Sequence, residues 1–153
     1  AQDQVVYAYG VDSNGGGTKL LDGCPLGSFA SEILVRVNQE RQRRGRSLLQ
    51  WDPAAAAVAR AYSQLMCDRG FLSHTGPDGS TPQSRMLAGG IFFLGVGENL
   101  LAGATTPAGA MQSWMQSAPH RDNILLKPWT HLGVGYVRCG PHDARWTQDF
   151  LQK

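Results

Sequence analysis

The order of elements readable along the chain predicts an α+β fold, a three-layer α-β-α sandwich around a small, largely antiparallel central sheet. Three observations carry that expectation. Two capped, amphipathic helices come early; an apolar, strand-like run lies mid-chain; and two more strands close as a hairpin near the end. The order helix, helix, strand, helix, hairpin leaves helices to cover both faces of the sheet.

The first helix is expected from Ser28, a good N-cap, to about Arg44, with Glu32 in its first turn and Gly45 just past its end. Its buried stripe would be Ala30, Ile33, Leu34 and Val37. Leu49 and Trp51 follow in a short extended link. Asp52-Pro53 then supplies a cap and a first-turn proline for a helix carrying Ala55, Val58, Ala59, Tyr62, Leu65 and Met66 at helical spacing, ended by Gly70. Its many alanines suit close packing on something flat, such as a sheet. Thr81-Pro82 opens a short helix that Gly89-Gly90 stops, and Ile91 to Leu101 reads as a buried strand with one charge, Glu98. Thr106-Pro107 starts a helix through Met111, Trp114 and Met115. Pro119 cannot continue it but can open a new turn carried by Ile124 and Leu125. Leu132 to Arg138 and Arg145 to Leu151 are the hairpin, joined across Gly140-Pro141-His142-Asp143. Gly133-Val134-Gly135 and Gly95-Val96-Gly97 are too short for a phosphate loop and read as close packing within strands.

The chain divides into residues 1–27, an extension with a possible strand at Val5 to Val11 and a glycine-rich connector, and a domain at 28–153. Its 153 residues can bury a real core, and 42% hydrophobic with 17% charged residues fits a globular protein. A net charge of +2 argues against nucleic acid as a partner. The basic run Arg41-Gln42-Arg43-Arg44-Gly45-Arg46 is expected to be a solvated helix end, where cations suit the dipole. No apolar run approaches the roughly 20 residues of a membrane span. The opening Ala1-Gln2-Asp3-Gln4 would suit a mature chain freed of a signal peptide, and a trimmed one equally. Cys24, Cys67 and Cys139 allow at most one internal disulfide; a bond from Cys139, which ends a strand, to Cys67 or Cys24 is the expectation.

His74, Glu98 and His120 are the candidates for chemistry, each where a regular element meets a turn. A carboxylate inside an apolar strand costs several kcal/mol unless paired, and a histidine is a natural partner for Glu98. Asn99 would help hold the turn. Two histidines and a carboxylate could bind a divalent metal, although neither histidine belongs to a local ligand motif. Arg121 and Asn123 read as scaffold for the turn around His120. No nucleophile elbow surrounds Ser73 or Ser117, which disfavours a hydrolytic triad.

Several motifs, in order, resemble the bacterial branch of the CAP superfamily, which includes cysteine-rich secretory proteins, insect venom antigens and plant pathogenesis-related proteins. They are Val37-Asn38-Gln39-Glu40-Arg41, Leu49-x-Trp51-Asp52, Ser73-His74 with Pro77-Asp78-Gly79, and Gly97-Glu98-Asn99. Trp114-x-x-Ser117-x-x-His120-Arg121-x-Asn123-Ile124-Leu125, Gly133-Val134-Gly135 and Trp146-x-Gln148-x-Phe150 complete the set. The resemblance covers about Ser28 to Phe150. It implies an extracytoplasmic α-β-α sandwich with a cleft lined by two histidines and two acids, which in some members holds a metal such as zinc. His74, Glu98 and His120 match three of the four, and Ser117 stands where animal and plant members keep the other acid. Losing that charge should weaken metal binding or shift its geometry.

The reading that follows is a secreted, monomeric binding module. Its cleft, with His74, Glu98, His120, Ser117 and Asn99, would hold a small molecule, a lipid, a cell-envelope component or a divalent metal (zinc) ligated by His74 and His120, with Glu98 as a further candidate ligand. The alternative is a metal-dependent hydrolase of peptide, ester or cell-wall substrates with Glu98 as general base. A third reading makes the polar cluster purely structural.

Overall fold

The computed structural model describes residues 27–153. The expected strand at Val5 to Val11, the glycine-rich connector and Cys24 lie outside them. Nine elements follow one another: α1 (Phe29–Arg43), β1 (Gln50–Trp51), α2 (Pro53–Arg69), α3 (Pro82–Ala88), β2 (Gly95–Ala102), α4 (Pro107–Met115), α5 (Ala118–Ile124), β3 (His131–Gly140) and β4 (Asp143–Gln152). The fold is mixed α+β, as expected.

Local chemistry sets the helix starts. Ser28, Asp52, Thr81 and Thr106 each accept a hydrogen bond from a first-turn amide through the side chain, and Thr81 and Ser84 form a reciprocal capping box. Gly70 ends α2 in the left-handed region, at φ 66°, where a side chain would be strained.

The four strands run in the order β1-β3-β4-β2. β3 and β4 form the hairpin, β2 adds antiparallel to β4, and the two-residue β1 pairs parallel with β3. Among the described residues β2 is therefore an edge strand. Strand alternation sorts the faces. Leu132, Val134, Trp146 and Phe150 join Ile33, Leu34, Val37, Met111, Trp114 and Ile124 in the larger core, under α1, α4 and α5. Leu151 packs with Ala55 of α2 and Met86 of α3 on the other face.

Gly133 and Gly135 let α2 lie directly on β3. A methyl group at Gly133 would come within 2.4 Å of the Ala56 nitrogen, and one at Gly135 within 2.4 Å of the Ala59 carbonyl carbon. The alanine-rich helix and the glycine-notched strand are thus two halves of one contact. The same face carries Cys139, which the alternation turns toward α2, where it bonds Cys67. Of the two partners left open by the sequence, Cys67 is the one. Closing a loop of 72 residues stabilises the fold by about 4 kcal/mol in the chain-entropy account.

Two expectations give way. Ile91 to Leu94 is not strand but a loop, with Phe92 85% and Leu94 79% exposed. The run is apolar, yet the β2–β4 ladder ends at Gly95 opposite Gln152, so Ile91 to Leu94 have no further partner on β4. Arg41, expected at a solvated helix end, is completely buried. Its guanidinium donates to the carbonyls of Ser47, Ile124 and Leu126 at 2.8 Å each. Burial, and then Arg46 nearby, pulls its pKa down to about 10. Arg46 donates to Leu125 O at 2.8 Å. The basic run therefore ends α1 by gripping the C-terminal carbonyls of α5, the helix that carries His120.

A histidine cleft over the edge of the sheet

His74 follows α2 in the loop that leads to α3. The Tyr62 hydroxyl donates to the Ser73 carbonyl, and Arg85 of α3 donates to His74 O and Ser80 O at 3.1 Å each, so the loop is pinned from both helices. Arg85 lies over the Tyr62 ring with 3.5 Å between guanidinium carbon and centroid. The same guanidinium reaches Glu98 of β2 at 2.9 Å to Oε2 and 3.2 Å to Oε1. His74 Nδ1 meets Glu98 Oε1 at 2.8 Å. Here the expected pairing of Glu98 with a histidine is seen, and a cation joins it. The Glu98 side chain is 1% exposed and that of Arg85 10%, so the pair is dry and each charge depends on the other.

His120 stands opposite, in the first turn of α5. Ser117 is the N-cap residue, but its hydroxyl makes no cap bond. It lies 2.8 Å from His120 Nδ1 instead and sets the ring. Burial, helped by His74, holds the His120 imidazole below the ordinary histidine range. The two rings line the same cleft. Asn99 ties α5 to the sheet: it donates to His120 O at 3.0 Å and to Gln148 Oε1 at 3.1 Å, and accepts from Asn123 at 3.2 Å. Asn123 O in turn accepts from the Trp129 indole at 2.8 Å. Arg121, by contrast, makes long contacts, 3.4 Å to Met115 O and 4.0 Å to the Asp122 carboxylate.

Glu98 and Asn99 are consecutive on β2 and so point to opposite faces of the sheet. His74 comes from the α2–α3 face and His120 from the α5 face, and the two meet over the edge strand. Between them opens a cleft of about 400 Å³, lined by His74, Asn99, His120, Asp122, Asn123 and Leu126 among others. A groove of about 700 Å³ lies on the other side of Arg85, lined by Val58, Tyr62, Leu65 and Ser80 among others, without an imidazole.

Among the described residues, no group of three or more histidine, cysteine, aspartate or glutamate side chains is arranged to hold a metal. The geometry gives the reason. Both Glu98 oxygens are taken, and the guanidinium that reaches both would repel a cation. Each histidine has spent Nδ1, leaving two Nε2 atoms as the donors a cation would find. That is one short of the three protein ligands of a catalytic zinc site. The same contacts tie Glu98 to His74 and Arg85 on the inner side of the cleft.

Sequence reasoning did not single out Arg85, Tyr62 or Asp149 as parts of the site. Tyr62 was read as stripe, and a lone arginine on a short helix carries no signal of its partner. Asp149 is fully buried on β4 in register with Glu98; a charge inside a strand was the one sign available.

The sandwich with paired histidines over its edge defines a class, and comparison with known proteins agrees. Residues 34–150 match the model of the cysteine-rich secretory protein (CAP) family, and the chain belongs to that family. It is 38% identical over 128 residues to YkwD of Bacillus subtilis, covering 84% of this chain and 49% of that protein. A crystal structure of an extracellular, SCP-domain protein of Bacillus anthracis superposes with a TM-score of 0.74 at 34% identity, over 81% of this chain and 40% of that one. An outer surface protein of Borrelia burgdorferi shares the fold at 17% identity, with a TM-score of 0.73 over 79% of this chain and 90% of that one. The chain thus spans about half the length of its Bacillus relatives. No helix among the described residues is long and apolar enough to cross a membrane.

Proposed function

We propose that this domain is an extracytoplasmic binding module that takes a small polar ligand, or the head group of a lipid, in the cleft between His74 and His120. One observation carries the reading. Both imidazoles are fixed through Nδ1 by well-ordered partners, so both Nε2 atoms remain for the cleft, and no activated nucleophile stands between them. An imidazole pair held at both Nδ1 atoms is preorganised, which lowers the entropic cost of binding. The extracytoplasmic placement is supported by the Cys67–Cys139 disulfide, which favours an oxidising compartment, and by the extracellular B. anthracis relative.

Calorimetric titration of the wild type and of the His74→Ala/His120→Ala variant tests the reading, with zinc chloride, phospholipid vesicles and soluble cell-wall fragments as separate probes. A saturable heat for any probe that the double variant loses supports it, and a zinc heat of that kind would restore the metal expectation. Identical heats from both proteins for every probe would sink it.

A further inference from the structure

Among the described residues the sheet has two edges, and they differ. β1 closes one with two residues, and β2 forms the other with eight. A long edge strand presents a row of N–H and C=O groups unless something covers them. In an antiparallel ladder alternate residues turn both groups toward the neighbouring strand, and the residues between turn both away. The Gly103 N–H donates to Ala144 O at 3.0 Å, in step with the pairing of Ala102 and Arg145, so the odd-numbered residues of β2 face β4. Val96, Glu98 and Leu100 therefore turn their main-chain groups outward.

At Leu100 the edge is closed, because the Trp114 indole donates to the outward carbonyl at 3.1 Å. At Val96 and Glu98 no described residue bonds the outward main-chain groups. Water still reaches them: Glu98 as a whole keeps 9% of its surface, its side chain only 1%, so the exposed part is main chain. β2 carries neither lysine nor proline, the residues that discourage pairing at an edge. The open window also borders the cleft, which Glu98 and Asn99 line together with His74 and His120.

We propose that the outer edge of β2, from Val96 to Glu98, takes an extended peptide of another protein as a further strand of the sheet. The chemistry of the edge selects that occupant. Its unmet groups are a donor and an acceptor on every second residue, and an extended backbone repeats the complementary pair at the same spacing. A lipid or a sugar does not. A second copy of this chain is held off, since its own β2 is flanked by the same His74 loop and α5, whereas a single strand can pass between them. Side chains of the added strand would alternate between the His74 wall and the His120 wall. The main chain then supplies affinity, and the two walls choose the sequence. Phe92 and Leu94, exposed just ahead of the window, favour apolar residues at that end of the peptide. The inference goes beyond the imidazole pair, because its hydrogen bonds come from the backbone of β2.

Amide hydrogen exchange on the whole chain, followed by NMR, tests the edge first. The Val96 and Glu98 amides should exchange on the order of tenfold faster, or more, than those of Gly97 and Asn99, which bond β4. Equal protection of all four would mean that the edge is already covered, by residues 1–26 or by a second copy, and would overturn the proposal. Short random peptides displayed as a library are then selected on the whole chain, and an enriched one is resynthesised with N-methyl groups on alternate amides. The unmodified peptide should slow exchange at Val96 and Glu98. Methylation in one frame should abolish binding, and in the other frame leave it intact. No enriched peptide, an equal effect of the two frames, or a bound peptide that leaves both amides unprotected would each overturn the proposal. Titrations with no imidazole-dependent heat would end the cleft reading above and leave this one standing.

Discussion

The two walls of the cleft are held by different physics. On the His74 side, buried charges do the holding: a carboxylate, a guanidinium stacked on Tyr62 and a second carboxyl behind them. On the His120 side the ties are neutral or partly charged: a serine hydroxyl, an asparagine pair, and two arginines that satisfy the end of a seven-residue helix. Such a helix is far too short to persist alone in water. Its order is lent by α1 and β2. One wall is thus a charge balance, which removal of any member upsets. The other is a set of separate hydrogen bonds, whose loss should add up in smaller steps.

The largest test of that contrast is Arg41→Met. It strands three carbonyls, two of them at the end of α5, and the loss should be about 3 kcal/mol or more in urea unfolding, an outlier on the wall otherwise built of small steps. Arg85→Met should cost a similar amount, about 3 kcal/mol, because it takes the guanidinium away from a buried carboxylate. A double variant Arg85→Met/Glu98→Gln should recover much of it. No recovery would mean that the guanidinium matters for packing on Tyr62 and not for charge.

The pH dependence should separate the walls next. The His120 pKa is lowered in the fold, so below about pH 6.5 the unfolded chain binds the proton more readily than the folded one. Stability should fall as pH drops through that range, and His120→Gln should flatten the decline. Asp149 has the opposite sign. Its folded pKa is raised, so the folded state holds a proton that the unfolded chain releases above about pH 3.8. Its contribution should be lost as pH rises toward the folded value, and Asp149→Asn should remove that slope. Melting temperatures across pH 4 to 9 check both.

Ser117→Ala should have the smallest effect, about 1 kcal/mol or less, since it deletes one hydroxyl bond at a half-exposed position. It should nonetheless broaden the His120 ring resonances, and sharp unchanged lines would show that the serine does not set the ring.

What could be read from the sequence was what depends on near neighbours. Asp52-Pro53, Thr81-Pro82 and Ser28 announced their helices because a cap and its amides lie three residues apart. His74, Glu98 and His120 were found because an acid in an apolar strand needs a partner, and because the motif order matched a known family. Arg41 reads as solvated because two of its three carbonyl partners, Ile124 and Leu126, are more than 80 residues away, and a basic run looks the same whether it faces water or grips a helix end. The loop at Ile91 to Leu94 was taken for strand because apolar character alone cannot tell a buried run from an exposed one. Asp149 became meaningful only once β2 and β4 were in register, and register is set by pairing across the sheet.

The glycine notch in β3 has a reach beyond packing. Because α2 rests backbone to backbone on Gly133 and Gly135, its height above the sheet has almost no slack. Tyr62 rides on that helix and Arg85 rests on Tyr62, so the guanidinium inherits the helix's elevation. A single methyl on the strand would act as a shim, lifting α2 and with it the ring, the cation and the His74 loop. The clearance between two imidazoles at one edge of the sheet is in this way gauged by two missing side chains at its centre.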